Sequence, residues 1–530
     1  MELSELQEIR RQKADELRAR DIDPYPNRAA RTHTSAQAIA LFESEAAADR
    51  LVNGATSQTQ TLTGRIVGFR HMGKTLFAHI RDGYGQIQLY IRKDELGDDA
   101  FADTLKLYDL GDFVQASGTL FKTKTGEISL RTNSLTMLTK TLNAPPEKWH
   151  GVHDIEIRYR QRYLDLMSSE DTRRVFTIRS KIITAMRAFL DARDYLEVET
   201  PTLQPLYGGA AARPFTTFHN SLGQTFYLRI ADELYLKRLI VGGYERVYEI
   251  CKDFRKEGID KNHSPEFTML EFYEAYGDYE TMMQTVEQMI HNVVLATHGG
   301  PVFTTNGNEI DVTPPWPRKT LRQAILDGSG VDYVAFPDQP TLLQAAREAG
   351  ANVNTDTVWP RIVDELLKQF VRPHQIQPLF VIDYPVALSP LAKRTPSDPS
   401  HVERFQPYMG GAELGNAFTE LNDPLDQLAR FEDQQRDKDA GDEEAMPVDE
   451  DFVTALMHGM PPTGGVGIGI DRVTMLLADQ ATLRDVILFP AMRSLANDSA
   501  ERLETNDSAE SLETNDSAES LETDETVDEK

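Results

Sequence analysis

The sequence predicts an α+β protein with two structured parts: a small β-barrel, then a larger domain built on an antiparallel sheet flanked by helices. Three observations carry that prediction. Five short runs rich in Val, Ile, Phe and Tyr fall between residues 61 and 142. From about 155 to 493, strand-like and helix-like segments follow one another without regular alternation. Near the end of that stretch a glycine-alternating run, GGVGIGI, leads straight into an apolar helical segment. At 530 residues the chain exceeds one core, and 40% hydrophobic with 26% charged residues is the composition of ordinary globular domains.

Residues 3–20 place Leu3, Leu6, Ile9 and Leu17 among charges, an amphipathic helix carrying five basic residues between Arg10 and Arg20 and ended by DPYP at 23–26. Two readings stay open for it, a solvated helix face and a basic arm near a polyanion. Residues 1–60 form this helical extension. In 61–143, TLTGRIVGFR, KTLFAHIRD, GQIQLYIRK, DFVQASGTLFK and EISLRTNSLTML read as strands parted by turn signals such as DGYG, with a helical DELGDDAFADTLKLYDLG between the third and fourth. Five strands with a helix in that position is the pattern of an OB-fold barrel, which binds oligonucleotides on one face. A linker (144–154, with APPEKWHG) follows.

In 155–493 the helix 171–194 puts Val175, Ile178, Ile182, Met186 and Phe189 on one face. Strand-like YLEVETP stops at Pro201; a helix, a Gly-Gly break and a strand occupy 235–257; residues 262–276 begin as a loop and enter another strand. The tail, 494–530, repeats NDSAERLET, NDSAESLET, NDSAESLET with period nine, and one leucine per nine residues cannot form a packed face. It reads as a disordered acidic tail.

Composition excludes several classes. From 497 on, thirteen acidic residues face two basic ones, so this stretch holds 11 of the 28 net negative charges; the rest, at −17, is still acidic. That argues against a nucleic-acid partner unless local basic patches override it. No apolar run reaches the ~18 residues of a membrane helix, and the N-terminus lacks a signal-peptide core. One cysteine, Cys251, leaves no internal disulfide and no Cys-cluster zinc site, and points to a reducing cytoplasm. There is no P-loop, no GxSxG elbow and no HExxH.

A strand ending at Pro201, FRKEG at 254–258 and GVGIGIDR at 465–472 stand in the order of the three signature motifs of class II aminoacyl-tRNA synthetases. With GGAAARPF (208–215), RIADELYLKRLIVGG (229–243), FRKEGIDKNHSPEFTMLEFY (254–273), ELGNAFTELND (413–423) and RDVILFPAMR (484–493), residues 60–493 resemble the bacterial lysyl-tRNA synthetase family.

The resemblance implies ATP-dependent activation of L-lysine to lysyl-adenylate and its transfer to tRNA(Lys), by alignment and charge stabilisation without a nucleophilic side chain. It makes Arg255 the motif 2 arginine bridging the amino-acid carboxylate and the α-phosphate. Glu257 and His263 face the nucleotide, and Phe267 and Arg472 sandwich the adenine. The glycines at 465, 467 and 469 leave a strand face open to ligand. Glu413, with Glu420 seven residues on, holds Mg²⁺. A further Glu of the family is Gln406 here, where an amide oxygen could still ligate but without the charge. For lysine, the α-ammonium meets Glu233 near the backbone of Gly209; the ε-ammonium meets Glu420, Glu271 and the Tyr273 hydroxyl; Asn416 and Phe418 complete the wall. Phe77 and Gln88 lie in segments like those that read the anticodon, the one stacking, the other contacting base edges. The resemblance also implies a homodimer formed through 171–201, no zinc and no membrane partner.

Four other readings compete with this one. A relative that lysylates a protein looks like the second domain alone, and the barrel argues against it. A lysyl-lipid synthase would carry membrane helices. A non-enzymatic RNA-binding module would not need Arg255, Arg472 and the carboxylates together. Aspartyl and asparaginyl synthetases share the barrel-first layout, but Glu233 and Glu271 favour a cationic substrate.

Overall fold

The structure is a computed structural model that describes residues 2–146 and 151–494. The acidic repeats and residues 147–150 of the linker lie outside the described residues. The described chain falls into two compact units: residues up to His153 with Tyr163–Ser168, and Asp154–Arg162 with the chain from Ser169 on.

The first unit opens with α1 (Glu5–Ala19), started by a capping box between Ser4 and Gln7. Its basic face is spoken for. Arg11 pairs with Glu8 and Asp15, Arg18 with Asp15, Lys13 with Asp109, and Arg20 with Glu16 and Asp103. Arg10 is buried, donating to the carbonyls of Leu110, Thr141 and Asn143. Of the two readings, the basic arm therefore finds no spare cations. A second helix, α2 (Ser35–Ala47), is absent from the sequence reading; Thr34 and Gln37 form its capping box, and Ala38 and Phe42 anchor it.

The barrel strands are β1 (Gln60–Met72), β2 (Thr75–Arg81), β3 (Gln86–Arg92), β4 (Phe113–Lys122) and β5 (Ile128–Thr139), closed in the order β1-β2-β3-β5-β4. Helix α3 (Asp98–Leu107) sits between β3 and β4, as the pattern requires. Period-two alternation sends Leu76, Ala78 and Ile80 of β2, and Ile87, Leu89 and Ile91 of β3, into the barrel core. The intervening residues face out.

The second unit is a nine-stranded sheet. Its main elements in chain order are α4 (Glu170–Asp191), β6 (Leu196–Glu197), α5 (Glu233–Val241), β7 (Arg246–Phe254), β8 (Glu266–Ala275), α6 (Tyr279–His298), β9 (Arg318–Thr320), β10 (Leu379–Pro385), β11 (His401–Met409), β12 (Gly415–Thr419), β13 (Thr463–Gly469) and α7 (Ile470–Leu477). The strand order is β9-β10-β11-β12-β13-β8-β7-β6, with the two-residue strand Ala412–Glu413 beside β11. Its six central strands are antiparallel, as expected, and each edge adds a parallel pair. Strand-like YLEVETP shrinks to two residues: only Leu196 and Glu197 pair with β7, opposite Val247 and Tyr248, before Pro201 ends the run.

Strands β8, β11, β12 and β13 feed one face to a core and the other to a cavity. Leu270 and Phe272 of β8, Phe405 of β11, Ala417 of β12 and Val466 and Ile468 of β13 pack with α4 and α6. The apolar stripe of α4 is covered inside the chain: Val175, Ile182, Met186 and Phe189 share this cluster with Met282, Val286 and Met289 of α6.

Candidate active site

The opposite face of those strands lines a cavity of about 500 Å³. The same period of two explains why the site residues converge there. On β8, Phe267, Met269, Glu271 and Tyr273 all point into it. Across the sheet, Glu271 stands opposite Gly467, and Gly467 opposite Asn416; Tyr273 stands opposite Gly465, and Gly465 opposite Phe418. The glycines of β13 thus separate two walls of side chains. Their roles differ, which corrects the sequence reading. A Cβ on Gly465 would collide with the Glu420 carboxylate and the Tyr273 ring, so there the space is filled by the protein's own side chains. At Gly467 and Gly469 the neighbours stand at ordinary contact distance. Gly209 adopts φ +88°, and a Cβ there would come within 2.9 Å of Ala231 and 3.2 Å of the Glu233 Cβ, so glycine is required twice over.

Arg255 donates Nε to the Ile230 carbonyl (3.2 Å) and its guanidinium lies 5.0 Å from the Phe267 ring. Its terminal amino groups take no hydrogen-bond partner among the described residues and face the cavity. Arg472 reaches the Glu413 carbonyl (3.2 Å) and its carboxylate (3.6 Å). Behind it, the buried Asp471 pairs with Arg179 at 2.6 Å and accepts from the Thr268 amide at 2.8 Å, tying α7 to β8 and α4. His263 is fixed by Asp260 (2.8 Å) and Glu257 is exposed at the rim.

Farther along β8 the site is acidic. Glu233, Glu271 and Glu420 are buried, and the Tyr273 hydroxyl donates to Glu271 at 2.9 Å. Burial, with the Glu233 charge next, pushes the Glu271 carboxyl up to about 8. The sequence reading missed the group that makes this cluster tenable. Lys237, one turn beyond Glu233 on α5 and with no exposed surface, donates to Glu233 at 2.5 Å and pairs with Glu420, 5.3 Å from the Phe418 ring. Burial works against its charge, but Glu233 and Glu420 outweigh it and hold the ammonium above its ordinary value. Apart from that ammonium, neither Glu420 oxygen has a partner among the described residues. The i,i+4 spacing of Glu233 and Lys237 was the available signal.

Two assignments change. Gln406 is not free to ligate a metal, since its amide oxygen already accepts from the hydroxyls of Tyr384 (2.7 Å) and Tyr408 (2.6 Å). The Asn416 oxygen is occupied by Arg404 Nε at 2.7 Å, and Arg404 itself lines the cavity over the Tyr384 ring.

In the barrel, Phe77 is on the outer face, outside the core, with its ring 5.3 Å from Tyr90; Tyr90 is 5.3 Å from Phe121. Arg70 and Arg131 lie over the ends of this ladder, at 5.1 Å from Phe77 and 4.8 Å from Phe121. Gln88 is buried, donating to Glu127 (2.7 Å) and accepting from Ser129 (3.0 Å), so its amide is held rather than free. Tyr90, Phe121 and the two arginines sit at outward positions that the strand alternation marks, but barrel cores and stacking faces use the same aromatic residues.

Among the described residues no helix is long and apolar enough to cross a membrane. Residues 154–493 match the family described as tRNA synthetases class II (D, K and N), and residues 60–138 match the OB-fold nucleic acid binding domain of the anticodon-binding family. A lysine–tRNA ligase of Chloroflexus aurantiacus is 54% identical over 94% of this chain and 100% of its own length. One of Roseiflexus castenholzii is 54% identical over 93% and 99% of the two chains, and one of Pelotomaculum thermopropionicum 48% over 93% and 96%. Agreement at that level across both units leaves one reading: the chain belongs to the lysine–tRNA ligase family of class II tRNA synthetases.

Proposed function

We propose that the protein joins L-lysine to the 3′ end of tRNA(Lys) with ATP. The lysine carboxylate attacks the α-phosphorus, pyrophosphate leaves, and lysyl-adenylate remains; a ribose hydroxyl at the tRNA 3′ end then attacks its carbonyl carbon and AMP leaves. The observation that carries the reading is the buried trio Glu233, Glu271 and Glu420, which shares one cavity with Arg255 and Arg472. A neutral side chain would leave three buried acids to the single ammonium of Lys237, and an under-compensated polar pocket is how the wrong substrate is rejected.

Arg255 bridges the carboxylate and α-phosphate, a task suited to a planar fork with free donors. Phe267 and Arg472 hold the adenine, with Glu257, His263 and Gly469 beside the nucleotide. Gly209, Asn416, Phe418 and Tyr273 shape the lysine pocket. Magnesium accompanies ATP, and Glu413, beside Arg472, offers the hard carboxylate oxygens it prefers, where a bound ion would neutralise phosphate charge; Glu420, buried and already paired with Lys237 among the lysine-pocket acids, is not free for that part. Residues 61–143 take the anticodon on the Phe77 ladder. The reading includes a cytoplasmic homodimer, supported by resemblance over 171–201 rather than by an uncovered stripe.

Pyrophosphate exchange measured with each of the twenty amino acids should be specific for lysine, require Mg²⁺ and survive a zinc chelator. Better exchange with aspartate or asparagine would overturn the assignment. In the barrel, Phe77→Ala should leave exchange near the parent level and lower tRNA charging roughly 5- to 150-fold, from about 1–3 kcal/mol per stacked base. Equal losses in both assays would mean that Phe77 only supports the barrel.

A further inference from the structure

Beneath Glu271 lies a group that the proposed reaction does not use. Asp232 occupies the N-cap position of α5, yet its side chain makes no capping hydrogen bond. It has no exposed surface, and neither carboxyl oxygen has a hydrogen-bond donor among the described residues. An aspartate at an N-cap ordinarily accepts from the first turn; this one turns instead toward other acids. One oxygen each of Asp232, Asp253 and Glu271 lie within 4.8 Å of one another, all buried. Glu249 stands directly across β7 and β8 from Glu271, where like charges oppose pairing.

The cations nearby are already committed. Arg229 gives Nη1 to Glu249 at 2.7 Å and lies 3.5 Å from Asp253. Thr200 donates its hydroxyl to Glu249 at 2.7 Å, and Cys251 donates to Asp253 at 3.6 Å. Arg255 acts on Asp253 and faces the cavity. Lys237 serves Glu233 and Glu420. Tyr273 donates to Glu271. Nothing in this set neutralises Asp232. Two buried carboxyls this close, with no cation to neutralise one of them, are stable when they share one proton.

We propose that Asp232 is a positioning residue for lysine recognition: held as a neutral carboxylic acid, it donates its proton to Glu271 and fixes that carboxylate toward the ammonium group of the substrate. Glu271 lines the cavity and Asp232 does not, so Asp232 acts only through its neighbour. Burial, followed by the Glu271 charge, holds the Asp232 carboxyl well above the ordinary carboxylate range, in keeping with the geometry. The proposal rests on the assignment of the cavity to lysine; the protonation of Asp232 does not.

The test compares the full chain with Asp232→Asn and Asp232→Ala. Asparagine imitates the protonated acid by donating from its amide, so its lysine KM should stay within about 3-fold of the parent. Alanine removes the donor and should raise lysine KM roughly 5- to 50-fold, with kcat and the ATP KM near the parent values. Infrared difference spectra at pH 7 between the parent and Asp232→Asn should show loss of a protonated-carboxyl C=O band, with or without substrate. Asparagine as harmful as alanine, no missing band, or two kinetically silent variants would each overturn the proposal. So would a stoichiometric metal found by elemental analysis in the parent and absent from Asp232→Asn, which would mean that a cation fills the cluster. Absence of lysine exchange in the parent strikes the functional assignment alone, because the infrared band still decides the state of Asp232.

Discussion

Replacing Arg255 with alanine should slow lysine-dependent pyrophosphate exchange roughly 10²- to 10³-fold, the cost of removing one preorganised donor from a site where charge develops. The geometry singles out this side chain. Its Nε is anchored on the Ile230 carbonyl and its face on Phe267, so the two terminal amino groups are held at the cavity without partners of their own. A donor oriented before substrate arrives needs no reorganisation as the pentavalent phosphate forms. Arg255→Lys keeps the charge but loses the fork, and should recover only part of the rate. The loss should fall mainly on kcat, since the carboxylate–phosphate bridge tightens in the transition state. Exchange at the parent rate in Arg255→Ala, in a variant with unchanged circular dichroism, would remove Arg255 from the mechanism.

What the sequence made legible follows from periodicity. The barrel strands carry alternating apolar residues with turn residues at their ends, and all five appear with the helix in the expected gap. The glycines of β13 and the acids of β8 were visible for the same reason, because period two puts 267, 269, 271 and 273 on one face. What stayed hidden depends on contacts between distant segments. Helix α2 is short and alanine-rich, and only the Thr34–Gln37 capping box marks its start. The α4 stripe looks the same in sequence whether a second subunit or the chain's own α6 covers it. Gln406 was weighed as a metal ligand because sequence shows the amide but not the two tyrosine hydroxyls that already occupy it. Lys237 and Asp232 flank Glu233 in the very segment that carried the resemblance; the i,i+4 spacing hints at a Glu233–Lys237 pair, but a lysine on a helix is ordinarily solvated and spacing does not reveal burial.

Lys237→Met should cost the protein about 3–5 kcal/mol of stability, because it removes one partner of a buried ionic cluster and leaves Glu233 and Glu420 uncompensated. The sign of the pH dependence follows. Burial already raises both carboxyls above their ordinary 4.5, and without the ammonium they rise further. Acids with raised folded values favour the native state at low pH and lose that advantage as pH rises through those values. The deficit of the variant should therefore be larger at pH 8 than at pH 6 in urea unfolding. Lysine supplies the missing kind of charge, an ammonium at the same carboxylates, so saturating lysine should raise the melting temperature of Lys237→Met more than that of the parent. A variant as stable as the parent at both pH values would show that the cluster is not held by this ion pair. A lysine-induced shift no larger than the parent's would place the substrate ammonium away from Glu233 and Glu420. Lys237→Arg separates charge from fit: its guanidinium keeps the positive charge but is bulkier than the ammonium, so it should retain more stability than methionine while weakening lysine binding.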